Sequence, residues 1–109
     1  KMKKNISIFS PMANEEKNAE KFILKILSYK KYFNKFKFFV ILDNASKDKT
    51  YNIVKKLEKK NKSLKLIWAP KNKTVVDAYM AGYKTCLKSK SEWINRVIFS
   101  ISPLMFFEQ

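Results

Sequence analysis

The 109-residue chain has no histidine, one cysteine (Cys86), one glycine (Gly82) and one arginine (Arg96). Without histidine it lacks the commonest general base near neutral pH and the commonest zinc ligand. A single cysteine excludes an internal disulfide framework and a cysteine zinc cluster. A single glycine excludes the Walker-type phosphate loop and the GxGxxG dinucleotide fingerprint, each of which needs several. Long apolar runs are missing as well. The longest, residues 97–107, contains Ser and Pro and falls short of the ~20 residues that span a bilayer. Residues 1–4 are basic and 6–10 apolar, but Pro11 and Asn14-Glu15-Glu16 end that run too early for a signal peptide. The expected setting is therefore cytoplasmic and reducing. What is present is a composition 46% hydrophobic and 15% aromatic, enough to build a packed core for one small domain or part of a larger one.

Acidic residues are scarce: 9 Asp and Glu face 24 Lys and Arg, for a formal charge of +15. Such a balance invites a nucleic-acid or anionic-membrane reading. Only Arg96 among the basic residues is an arginine, however, and base reading and bidentate phosphate contacts favour Arg over Lys. Nucleic acid is thus a disfavoured partner. Two readings stay open for the lysines: a solvated surface, or an electrostatic role towards anionic lipid, sugar nucleotide or nucleic acid.

Residues 5–10 form a β-like run stopped by Pro11. Asn14 is a good N-cap with Glu15 and Glu16 favourable in a first helical turn. Ala19, Phe22, Ile23, Ile26 and Leu27 then recur at helical spacing to about Lys31. Residues 36–42 are almost wholly apolar, as in a parallel strand buried on both faces. A polar loop, Asp43 to Thr50, precedes a second helix with Tyr51, Val54 and Leu57 inward. Residues 64–69 read as a third strand closed by Pro70. Residues 74–87 read as a third helix with Val75, Ala78, Tyr79, Gly82, Tyr83 and Cys86 on its apolar face. Residues 92–101 read as a fourth strand. Phe38, Phe39, Trp68 and Trp93 are expected in the core, and Cys86 as an inert small hydrophobe.

Strands alternating with helices imply right-handed crossovers and a parallel sheet. Ligands of such sheets bind beyond the carboxyl ends of the strands. Three polar clusters fall there: Pro11–Glu15, Asp43–Asp48 and Pro70–Lys73. Asn14, Glu15 and Asp48 have a second reading as helix caps.

These clusters, in this order, resemble the family 2 glycosyltransferases. That family opens with a strand ending in Pro-x-Tyr-Asn-Glu, here Pro11-Met12-Ala13-Asn14-Glu15. Its second strand ends in Asp-Asp-Gly-Ser-x-Asp-x-Thr, here Asp43-Asn44-Ala45-Ser46-Lys47-Asp48-Lys49-Thr50. The third helix resembles the Ala-Tyr-x-Ala-Gly segment of dolichyl- and polyprenyl-phosphate sugar transferases, here Ala78-Tyr79-Met80-Ala81-Gly82. The resemblance implies a Rossmann-like, three-layer α/β nucleotide-sugar transferase fold of GT-A type. It covers roughly residues 5–94 and implies a partial domain over 1–94, with 95–109 an atypical tail. It also implies a nucleotide-diphospho-sugar donor, UDP- or GDP-linked, and a polyprenyl phosphate acceptor at the inner face of the membrane. Carried over residue by residue, it places Pro11, Ala13, Glu15, Leu42, Asp43 and Asn44 at the nucleotide. The alternative from another class is a non-catalytic basic module binding RNA or an anionic membrane.

The sequence departs from the family in three places. Ala13 replaces a tyrosine. Thr74, Val75 and Val76 stand where many relatives carry Gly-x-Gly. After Trp93-Ile94 the family has an Asp-x-Asp-type cluster that binds a divalent cation, Mg or Mn, with the sugar diphosphate. Here the chain reads Asn95-Arg96-Val97-Ile98, and after Asp77 the only acids are Glu92 and Glu108. The cation ligands are thus expected to be absent, no catalytic residue is assigned, and the chain alone is expected not to transfer sugar. A truncation or shifted reading frame is expected near residue 94. Apolar residues of the tail, Phe99, Leu104, Phe106 and Phe107, are expected to lack cover.

Overall fold

The computed structural model describes residues 5–44, 46–71, 75–88, 93–96 and 105–108, with side chains given for 5–44, 46–71 and 76–88. In chain order the elements are β1 (Asn5–Pro11), α1 (Ala19–Leu27), a 3-10 turn (Ser28–Tyr32), β2 (Lys35–Leu42), α2 (Thr50–Lys60), β3 (Leu64–Trp68), α3 (Val75–Lys88), β4 (Trp93–Arg96) and β5 (Met105–Glu108). The sheet runs β3-β2-β1-β4-β5. Four strands are parallel, with β1 between β2 and β4 and β2 flanked by β3. β5 is antiparallel to β4.

Burial on both faces of the sheet follows from the period of 2 in a strand. Ile6, Ile8, Phe36, Phe38, Val40 and Leu42 point to one side, where Ile23 and Ile26 of α1 and Val54 and Leu57 of α2 meet them. Phe9, Phe39 and Ile41 point to the other side, against Ala78 and Cys86 of α3. Two helices below and one above make the three-layer arrangement. The lone glycine has its reason here. A Cβ on Gly82 would lie 2.1 Å from Phe9 Cδ2, so only glycine lets α3 settle on the Phe9 ring.

Several expectations are corrected. The first helix begins at Ala19, not at Asn14, and ends at Leu27, where the backbone tightens into the 3-10 turn before Lys31. Asn14 adopts φ 56°, outside the helical range, because the chain is turning between β1 and the second loop. Trp68 is 46% exposed rather than core; β3 is an edge strand, and its indole leans edge-on against Tyr51 with centroids 5.4 Å apart. Tyr83 likewise faces solvent, while Tyr79 packs edge-on against Phe9 at 6.4 Å. The outer edge of β4 is covered by the backbone of β5, from Trp93 opposite Glu108 to Arg96 opposite Met105. Thr74, residues 97–101 and Leu104, and the side chains of Val75, Trp93, Phe106 and Phe107, lie outside the described set.

Candidate functional site

Strand order fixes where the mouth of the sheet opens. From β1 the chain goes outward to β2 and β3 on one side and to β4 on the other. The carboxyl ends of β1 and β4 therefore flank a topological switch point, where open α/β sheets bind ligands. The loops after β1, β2 and β3 gather beside it. Met12 N–H donates to Ile41 O at 3.1 Å and Ala69 N–H to Leu42 O at 2.8 Å, which extends the strand pairing into the loops.

The first two loops are clasped by reciprocal hydrogen bonds. Asn14 N–H donates to Ser46 Oγ at 3.3 Å, and Lys47 N–H returns to Asn14 Oδ1 at 2.7 Å. Glu16 N–H donates to Asp48 Oδ2 at 3.0 Å, and Lys49 N–H returns to Glu16 Oε1 at 3.1 Å. At the centre, Glu15 N–H donates to Thr50 Oγ1 at 2.9 Å, and that hydroxyl donates onward to Asp48 Oδ1. Asp48 Oδ1 also accepts Thr50 N–H at 2.9 Å, so Asp48 takes the first amide of α2 and holds the other loop at once. The third loop joins through Asn44, whose Nδ2 donates to Pro70 O at 3.0 Å.

The clasp has an electrostatic signature. Partial burial pushes the Asp48 carboxyl upward, but hydrogen bonds from the Thr50 hydroxyl and amide and the Glu16 amide outweigh it. The net position is below the ordinary value of 3.8. Cys86, by contrast, is pushed up to about 12 by burial and stays a neutral thiol.

Each residue singled out from the sequence now has a place. Pro11 ends β1 and is half-buried, and Ala13 is exposed on the loop beyond it. Glu15 uses its backbone in the clasp, and its carbonyl accepts Asn18 and Ala19 N–H at 3.0 and 2.8 Å to start α1. Leu42 is fully buried, so its side chain belongs to the core and it serves to place Asp43. Asp43 is half-buried and Asn44 exposed at the end of β2. Thr50 and Ser46 carry the clasp and were not singled out beforehand; the conventional capping pattern around Asp48 was the signal available.

Among the described residues no three His, Cys, Asp or Glu side chains stand together as metal ligands would. Glu16 and Asp48 accept backbone amides, so their carboxylates hold the loops together.

A family model described as glycosyl transferase family 2 matches residues 7–94. The chain belongs to glycosyl transferase family 2. The matched span runs from β1 to β4 and includes all three loops. No protein of curated function matches the sequence. Among solved structures, this family 2 chain is similar to the mannosyltransferase PcManGT from Pyrobaculum calidifontis in complex with GDP-Man and Mn2+. The TM-score is 0.70 at 16% identity, over 88% of this chain and 27% of that one. It is also similar to glucosyl-3-phosphoglycerate synthase from Mycobacterium tuberculosis in complex with Mn2+, UDP and phosphoglyceric acid, with TM-score 0.64 and 15% identity, over 87% of this chain and 32% of that one. These likenesses establish a GT-A type, Rossmann-like fold. The chain spans about a quarter to a third of those enzymes.

Proposed function

We propose that the chain is the donor-nucleotide half of a glycosyl transferase and binds a UDP- or GDP-sugar beyond the carboxyl ends of β1, β2 and β3. The observation that carries this is the clasped pair of loops at the switch point, with Asp43 and Asn44 beside them at the end of β2. Asn44 Nδ2 is held by Pro70 O, which leaves its Oδ1 for the role of acceptor in this reading. With the Asp43 carboxylate it offers acceptors to a nucleobase edge. Guanine presents two N–H donors there and uracil one, whereas the corresponding position of adenine is an acceptor. Pro11, Ala13 and the Glu15 backbone form the opposite lip, and Leu42 sets the position of Asp43 from below.

The same reading has this chain bind its donor without transferring the sugar. Leaving-group charge on a diphosphate needs fixed positive charge, and loss of even one such stabilising group costs about 10²–10³ in rate. Among the described residues no cluster of carboxylates that would hold a cation is assembled. Lys71, exposed in the third loop, is a flexible and strongly hydrated substitute. The Ala78–Gly82 segment supports no particular acceptor, because Ala78 is core and Gly82 is required by Phe9.

Equilibrium titration tests the site. GDP- and UDP-sugars should bind more tightly than ADP-sugars, and Mn²⁺ should leave the affinity unchanged. Asp43→Ala and Asn44→Ala should each weaken binding about tenfold or more, the loss expected for a hydrogen bond to a charged or buried group. Unchanged affinity in both variants, or an affinity set by salt alone, would remove the assignment.

A further inference from the structure

The opposite end of the sheet carries a second feature. An open cleft of about 630 Å³ is lined by Lys30, Lys31, Lys35, Lys37 and Lys62, together with Phe33, Asn34, Phe36 and Ser63. Among the described residues no carboxylate lines it. The local sequence explains the imbalance: between Glu20 and Asp43 there are six lysines and no acidic residue. The cleft floor is aromatic, with the Phe33 and Phe36 rings 5.9 Å apart. Beside it the 3-10 turn exposes Tyr29 and Tyr32, whose rings are 6.4 Å apart, with Tyr32 61% exposed. Lys31 Nζ lies 5.3 Å from the Tyr32 ring centre and Lys25 Nζ 5.9 Å from that of Tyr29. One turn earlier Leu24 is also exposed.

We propose that this end of the molecule docks on an anionic lipid surface, with phosphate headgroups in the lysine cleft and Tyr29, Tyr32 and Leu24 at the headgroup boundary. Charge complementarity selects the occupant. Clustered lysines draw anionic headgroups, each contributing about fivefold in binding. Tyrosines prefer the membrane–water interface, where ring and hydroxyl are both accommodated. A nucleic acid fits less well, because the cleft has no arginine to grip phosphates bidentately. The cleft begins at Lys35, the first residue of β2, and the nucleotide loops begin after Leu42, its last. At roughly 3.3 Å per residue the two ends are about 23 Å apart. Docking would therefore leave the proposed donor mouth open to water.

Co-sedimentation of the 109-residue chain with vesicles tests the proposal. Vesicles of phosphatidylcholine mixed equally with phosphatidylglycerol should bind it, and vesicles of phosphatidylcholine alone should not. The triple variant Lys30→Glu, Lys35→Glu, Lys62→Glu should lose about 100-fold or more, the product of three such lysine contributions. A control triple with the same charge change, Lys56→Glu, Lys84→Glu, Lys88→Glu, should retain most of the affinity. Far-UV circular dichroism melting checks that both triples fold; all six side chains are exposed. Tyr32→Ala should weaken vesicle binding severalfold and leave binding of soluble polyphosphate unchanged. Equal loss in the two triples, indifference to Tyr32, or tighter binding to polyuridylate RNA than to anionic vesicles under the same salt would each overturn the proposal.

Discussion

Thr50 joins two loops that are 35 residues apart in sequence at its contact with Glu15. Its hydroxyl accepts one amide and donates to one carboxylate, and the residue is fully buried. Valine keeps the shape but can do neither. Thr50→Val should therefore strand the Glu15 amide and destabilise the fold by about 1–3 kcal/mol, the cost of an unsatisfied buried group. Thr50→Ser, which keeps the hydroxyl, should restore most of that in urea unfolding. Asp48 and Glu58 set a pH dependence. Glu58 accepts Leu66 N–H at 2.9 Å, which, with Lys55 at 3.3 Å, holds its carboxyl below the ordinary 4.5. Both folded pKa values are depressed relative to the unfolded chain. Their contribution is complete above the unfolded carboxylate range and is lost as pH falls through the folded values. The thermal midpoint should drop below about pH 4, and less steeply in Asp48→Asn, Glu58→Gln.

At the scale of elements, α3 depends on a single absence. Gly82→Ala places a methyl within 2.1 to 2.8 Å of three atoms of the buried Phe9 ring. Alanine is the better helix former by about 1 kcal/mol, yet overpacking costs about 1–3 kcal/mol. The variant should be destabilised, and Phe9→Leu should relieve it in a double-mutant cycle. The element pattern was legible because β2 is a nearly continuous apolar run and because Val54 and Leu57 recur at helical spacing. The start of α1 was not. Asn14, Glu15 and Glu16 read locally as a cap and first turn, but long-range bonds to Ser46, Lys47, Asp48, Lys49 and Thr50 claim them. A single sequence shows local capping chemistry and hides a partner more than thirty residues away. β5 was concealed for a different reason: it is a four-residue strand, Met105–Glu108, too short for strand alternation to stand out. Trp68 was misplaced because composition reports apolarity and not the position of a strand at the edge of its sheet. For the site, the strand ends were legible as a region, while the loop-holding roles of Asn14, Glu16, Asn44 and Asp48 needed the hydrogen bonds.

For the whole molecule, parallel strands give the two ends of the sheet different characters. The carboxyl end carries the clasped loops and most of the acids described near them. The amino end carries the lysine cleft. The central claim is that a nucleotide-sugar binds the first of these ends. Amide chemical-shift mapping of the 109-residue chain during titration with GDP- or UDP-sugar tests it most directly. The account predicts saturable shifts at Ala13, Glu15, Asp43, Asn44 and Lys71, with the Thr50 and Asp48 amides following through the clasp. Shifts confined to Lys30–Lys37 and Lys62, fading as salt is raised, would contradict it.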